Sequence, residues 1–187
     1  DNGSCYWKNG ERINLTTNRE SQAFAIGIRN NGDVYVGGYY MSNHHYYVPC
    51  FWKNGNNRSN LPAAEDGEVY DITFDEVGNM RYYAGNTTKL DNFSGYPPKA
   101  CYWRHTNRTD LPLGGSSMDI YGSHANGITI DGDDVYVAGY TDWYEFTGEE
   151  ETSGGYFPQY WKNSTIHDLE GGSMTEFGTC LLYTTPS

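Results

Sequence analysis

Short runs in which apolar and polar residues alternate with a period of two recur along the chain, bounded by turn-forming residues. That period predicts half-buried β-strands rather than helices. One set of runs covers Ala23 to Ile28, Val69 to Phe74 and Gly127 to Ile130. Each leads into a turn, Asn31-Gly32-Asp33, Val77-Gly78-Asn79 or Asp131-Gly132-Asp133, where Gly, Asn and Asp tolerate positive φ. A second strand follows with an apolar-Tyr-x-small-Gly signature: Val34-Tyr35-Val36-Gly37-Gly38, Arg81-Tyr82-Tyr83-Ala84-Gly85 and Val135-Tyr136-Val137-Ala138-Gly139.

A third strand carries an aromatic-Trp pair, and this pair occurs four times: Tyr6-Trp7, Phe51-Trp52, Tyr102-Trp103 and Tyr160-Trp161. The tryptophans are 45, 51 and 58 positions apart. Lys-Asn-Gly after Trp7 and Trp52 predicts a two-residue hairpin into a fourth strand, which ends at Leu15, Leu61, Leu111 or Leu169. Cys5, Cys50 and Cys101 each lie two residues before a Trp and share its strand face, so these tryptophans read as core rather than as ligand platforms.

Self-similarity at this period predicts an all-β β-propeller of about four blades built from 45–58-residue repeats. The divisions are a partial blade at 1–21, blades at 22–62, 63–112 and 113–170, and a partial blade at 171–187. The first segment supplies only third and fourth strands. Leu182 lies 13 residues after Leu169, the spacing of Leu15 from Ile28, so the last segment supplies only a first strand. The sum is fifteen strands, one short of a four-bladed ring, and the one missing is a second strand. A degenerate closing blade, a piece of a longer propeller, or a subunit whose open edges pair with a neighbour would each satisfy that count.

The Trp-Lys-Asn-Gly, Leu, Gly-Asp-Val-Tyr-Val-x-Gly-Tyr pattern resembles the repeats of bacterial extracellular proteins of the HAF type and related Trp-Lys-Asn-Gly propellers. The resemblance covers nearly the whole chain and implies a propeller outside the cytoplasm. It implies no catalytic residue. The Cys in three of the third strands and the long inserts before them depart from the pattern.

The formal net charge of -12 repels polyanions, so nucleic acid is not an expected partner. No run of 18 apolar residues marks a membrane span. The sequon N-x-[ST] occurs at Asn2, Asn14, Asn57, Asn86, Asn92, Asn107 and Asn163, more often than chance gives, and points to a glycosylated extracellular or cell-surface location.

The inserts between second and third strands lengthen along the chain: Gly38 to Trp52 spans 14 residues, Gly85 to Trp103 18 and Gly139 to Trp161 22. They share one rim of a propeller and are rich in aromatic residues. Flat rings beside polar groups suit recognition of sugars or proteins, so the candidate ligand residues are Tyr40, His45, Tyr46, Tyr47, Tyr96, Trp143, Tyr144 and Tyr156. A bland alternative is that the inserts only extend hairpins and pack on one another.

No cofactor and no metal are expected. His44 and His45 are adjacent and point apart in a regular strand, and Asp131-Gly132-Asp133-Asp134 reads as a turn. Cys5, Cys50 and Cys101 occupy equivalent points of successive units, too far apart to bridge; Cys180 could approach Cys5 if no strand lay between them. The reading is a non-enzymatic structural or adhesive module that binds glycan or protein through its aromatic loops. A self-assembling subunit joined by edge strands and a carbohydrate-active enzyme on a propeller scaffold are the alternatives.

Overall fold

The computed structural model describes residues 3–15, 19–63, 65–75, 77–88, 97–114, 119–147 and 150–169, with side chains left out at 119–120, 144–147 and 150–153. These residues form an all-β fold of antiparallel sheets. A two-stranded sheet pairs β1 (Cys5–Lys8) with β2 (Glu11–Asn14). A four-stranded meander follows: β3 (Ser21–Ile28), β4 (Val34–Met41), β5 (Tyr47–Lys53) and β6 (Asn57–Asn60). The next joins β7 (Asp66–Phe74), β8 (Arg81–Thr88), β9 (Pro98–Arg104) and β10 (Asn107–Asp110). The last joins β11 (Asp119–Asp131), β12 (Asp134–Thr147), β13 (Glu150–Lys162) and β14 (Thr165–Asp168). Strand order follows chain order in every sheet, and no sheet closes on itself.

The repeat signature has a structural cause at each position. In the first strand of each four-stranded sheet a bulge leaves Phe24, Tyr70 or Asn126 out of the pairing register. The bulge brings the carbonyl of the residue two before it over the second strand. A Cβ built on Gly38, Gly85 or Gly139 would lie 1.9, 1.9 or 1.8 Å from the carbonyl oxygen of Gln22, Glu68 or His124. Only glycine fits under that oxygen, which explains why the signature ends in Gly.

The Lys-Asn pair after the Trp is a clamp on the start of the second strand. Asn54 sits at φ 52°, where its backbone N–H donates to Val34 O at 2.8 Å and its Oδ1 accepts the Val34 N–H at 2.9 Å. Its Nδ2 donates to Asp33 at 2.9 Å, and Lys53 Nζ reaches the other Asp33 oxygen at 2.7 Å. Asn163, Val135, Asp134 and Lys162 repeat the arrangement. In the middle sheet Met80, Arg104 and His105 replace Asp, Lys and Asn, and His105 keeps both the left-handed backbone and its N–H bond to Arg81 O. The hairpins differ in length from the expectation at one point: Asn9-Gly10 is a two-residue turn, but Lys53 pairs with Asn57 and leaves three residues between.

Successive sheets pack face against face. Trp52, Trp103 and Trp161 are fully buried, and the indoles of Trp103 and Trp161 donate to the carbonyls of Pro62 and Pro112, each at 2.9 Å, beyond the last strand of the preceding sheet. Ile72 and Phe74 cover Gly37 and Gly27 of the sheet before. Where the third strand offers an outward N–H, the next sheet answers with a hydroxyl: Ser4 N–H and Oγ–H meet Ser21 Oγ, and Ala100 N–H meets Ser123 Oγ. Pro49 has no N–H to offer, and its neighbour is Gly67, whose added Cβ would come within 2.9 Å of the proline ring. Asp71, half-buried in the bulge of β7, accepts the N–H groups of Ile72 and Ile128, both at 2.8 Å, and so ties the last two four-stranded sheets together. Burial holds its carboxyl above the usual range despite these bonds.

Cys5, Cys50 and Cys101 are free thiols. Burial pushes the thiols of Cys50 and Cys101 far up, which makes them inert. Cys180 lies outside the described residues.

Candidate functional site

The second strand places one side chain immediately after its obligatory glycine, and the first strand pairs another with it: Gln22 with Tyr39, Glu68 with Asn86, His124 with Tyr140. The bulged residues Phe24 and Tyr70 join this layer. The result is a run of rings at the end of the sheets from which the inserts extend. Tyr47 to Tyr39 is 4.4 Å between ring centres, Tyr39 to Phe24 is 5.9 Å and Phe24 to Tyr70 is 5.3 Å. Across the last sheet Tyr156 meets Tyr140 edge-on at 5.1 Å, and Tyr140 stacks on His124 at 4.6 Å.

Tyr39 forms the base of the run. It is buried, and desolvation pushes its phenol up to about 12, helped by Tyr47, Glu68 and Glu20 nearby. Tyr70 is also shifted up, first by burial, then by donating its hydroxyl to Glu68, with Tyr140 and Tyr39 adding smaller effects of the same sign. Phe24 stands on this base with 44% of its surface exposed, and Tyr47, packed on Tyr39, is exposed as well. The run is therefore an apolar platform with the acidic side chain of Glu68 at its border.

A second set of groups lies under Tyr140. Asn86 Oδ1 accepts the Ala125 N–H at 3.1 Å, which fixes the orientation of its amide. Its Nδ2 must then donate to His124 Nδ1 at 2.8 Å, so the imidazole carries its proton on Nε2, which faces Asp142 at 3.4 Å. Both ring nitrogens are engaged within the fold.

The predicted site residues fall into different places. Tyr47 joins the ring run, Tyr46 is exposed in the turn before it with its N–H on Ser42, and Tyr156 belongs to the neighbouring cluster. Tyr40 has one face covered by the Arg58 guanidinium, 3.6 Å from its centre, and its hydroxyl accepts from Asn60. His45 is exposed at the tip of a tight turn closed on Ser42, with φ 63°. Trp143, expected to be presented to a ligand, is instead buried beside Phe157. Tyr144 lies on β12 with its side chain outside the description, and Tyr96 lies outside the described residues altogether.

The sequons also separate. Asn14, Asn57, Asn107 and Asn163 are exposed at strand ends and turns. Asn86 is buried with both ends of its amide bonded, so the folded chain has no room for a glycan there. Asn2 and Asn92 are not among the described residues.

No family model and no curated protein matches this chain. The site must be judged on its own chemistry. Among the described residues no group of three His, Cys, Asp or Glu side chains could hold a metal ion. Phe24 and Tyr70 lie on the first strands β3 and β7, so the aromatic composition of the inserts does not point to them. The available signal was an aromatic residue at the same place in two units, facing the glycine of the second strand.

Proposed function

We propose that this chain is a propeller-type repeat module, of the HAF-like kind its motifs resemble, that works outside the cell as a non-enzymatic adhesive or structural element and binds saccharide on the Phe24 platform. The face-to-face packing of successive four-stranded sheets supports the propeller reading. The exposed sequons at Asn14, Asn57 and Asn107 support the extracellular one.

The observation that carries the binding reading is the exposed Phe24 ring braced by Tyr39 and Tyr70 beside Glu68. An exposed ring held rigid by two others loses little entropy on contact, stacks on the apolar face of a pyranose, and leaves Glu68 to accept hydroxyl protons.

A glycan array followed by calorimetry with the best oligosaccharide tests this reading. Phe24→Ala is expected to weaken binding by about tenfold or more, in the range of lost aromatic anchors. Absence of any glycan signal, or binding untouched by both Phe24→Ala and Tyr47→Ala, would overturn it.

A further inference from the structure

The three four-stranded sheets meet at two junctions, and the two differ in charge. Ile28, Phe74 and Ile130 end their first strands at equivalent register, and the residue after each is Arg29, Asp75 or Asp131. The second strands open at Val34, Arg81 and Val135, each preceded by Asp33, Met80 or Asp134. The junction between the β3–β6 sheet and the β7–β10 sheet thus holds two arginines, one where the other units carry Asp and one where they carry Val. Met80 stands where they carry a second Asp. In a chain with 24 acidic and 12 basic side chains, cations are gathered at this one place.

Both arginines surround Tyr35. Arg81 Nη1 donates to the Tyr35 hydroxyl at 3.4 Å, and its guanidinium carbon stands 5.5 Å from the Tyr35 ring centre and 5.3 Å from that of Phe51. Arg29 is pinned by its Nε on the Gly78 carbonyl and by Nη2 on Asn79 at 3.4 Å. Burial alone would raise the Tyr35 phenol, but hydrogen bonds from Arg81 and Arg29 and the charges of Arg81 and Lys53 hold it below its ordinary value. The charge of Lys53 is matched by Asp33 at 2.7 Å. Among the described residues no carboxylate forms an ion pair with Arg29 or Arg81, and Asp75 accepts the N–H groups of Asn79 and Met80. Two buried polar atoms here have no partner: Arg81 Nε and the hydroxyl of Tyr83, whose fully buried ring stacks on Phe51 at 5.1 Å. The next junction supplies the contrast. Arg104 stands over Tyr82 there as Lys53 stands over Tyr35, but Val135 occupies the place of Arg81 and Asp75 that of Arg29.

We infer that Arg29 and Arg81, with the Tyr35 hydroxyl between them, form a binding site for an oxyanion: the carboxylate, sulfate or phosphate group of a ligand. Each guanidinium offers several N–H donors in one plane, which suits the paired oxygens of such a group. The two arginines come from neighbouring sheets, so the bound anion bridges them, as the Asp71 carboxylate bridges the next pair. β3 runs from Ser21, opposite Tyr40, to Ile28, opposite Val34. The site therefore lies at the far end of the sheet from the Phe24 platform, and either reading can fail alone.

The test titrates the whole chain with sodium acetate, sulfate and phosphate in turn, at constant ionic strength against chloride, and follows the arginine Nε–H signals by NMR. Saturable movement of the Arg29 and Arg81 signals is expected. A preference for acetate identifies a carboxylate ligand, and a preference for sulfate or phosphate a tetrahedral one. Arg81→Val and Arg29→Asp install residues that the other units carry, so both variants should fold. Each should weaken binding by about tenfold or more, the loss of one hydrogen bond to a charged group. Arg104→Gln, at the next junction, should leave binding unchanged. No saturable movement with any of the three anions, or binding that survives both Arg81→Val and Arg29→Asp, would overturn the inference. So would uptake seen only with Glu76→Gln, since a carboxylate of the chain itself would then be the partner.

Discussion

The hairpin β1–β2 and the hairpin β5–β6 share the sequence Cys-aromatic-Trp-Lys-Asn-Gly, and the left-handed Asn and Gly in their turns are nearly superposable in dihedral angle. Their tryptophans nevertheless differ completely, one mostly exposed and one fully buried. The shared sequence thus sets the left-handed backbone of the turn, while burial comes from a second strand laid along the Trp strand and from the sheet in front. The repeat is a unit of recognition between elements before it is a unit of core.

Substitution should expose this difference most strongly at the tryptophans. Trp103→Ala is expected to cost about 3–5 kcal/mol in urea unfolding, the range for a large buried side chain, whereas Trp7→Ala should cost under about 1 kcal/mol, as an exposed position does. Equal losses would erase the distinction between the two regions.

A smaller effect should follow at the glycine that closes the second strand. Gly85→Ala drives a methyl into the Glu68 carbonyl oxygen, and overpacking of this kind costs about 1–3 kcal/mol. Chemical denaturation reads it directly. Gly3→Ala, in the hairpin region, meets nothing within 4 Å and should leave stability unchanged.

The smallest effect is in the clamp and depends on pH. Lys53, then Asn54, hold the Asp33 carboxyl down to about 2 from its ordinary 3.8, and Lys162 and Asn163 lower Asp134 in the same way. The unfolded chain then binds protons more readily than the folded one as pH falls below about 4. The stabilisation is present above that pH and is lost as pH drops through the folded values toward about 2. Asp33→Asn should flatten part of this acid limb in thermal scans. Both carboxylates lie at the surface, so the effect is small and weakens with salt.

Much of the fold can be read from the sequence because its determinants are local: glycine under a carbonyl, Asn-Gly at positive φ, and Trp two residues after Cys. The bulges at Phe24, Tyr70 and Asn126 cannot be read this way, since they change pairing without disturbing the alternation of side chains. That is why the platform ring Phe24 was not anticipated while Tyr47 was. Trp143 shows the opposite failure. An aromatic residue in a long insert reads as surface, but this insert prolongs β12 and β13 as a paired ribbon to Thr147 and Glu150, and Trp143 within it is buried. Asn86 matches a sequon, yet what decides its fate is the His124 and Ala125 partners brought by another sheet.

Hydrogen exchange at the indole N–H groups, followed by NMR on the monomeric protein, tests most directly the claim that a completed sheet shields each Trp. The indoles of Trp103 and Trp161, bonded to Pro62 and Pro112, should exchange only with opening of the sheet, and that of Trp7 at nearly the rate of free indole. A protected Trp7 indole in the monomer, or Trp103 and Trp161 exchanging as fast as Trp7, would contradict the account.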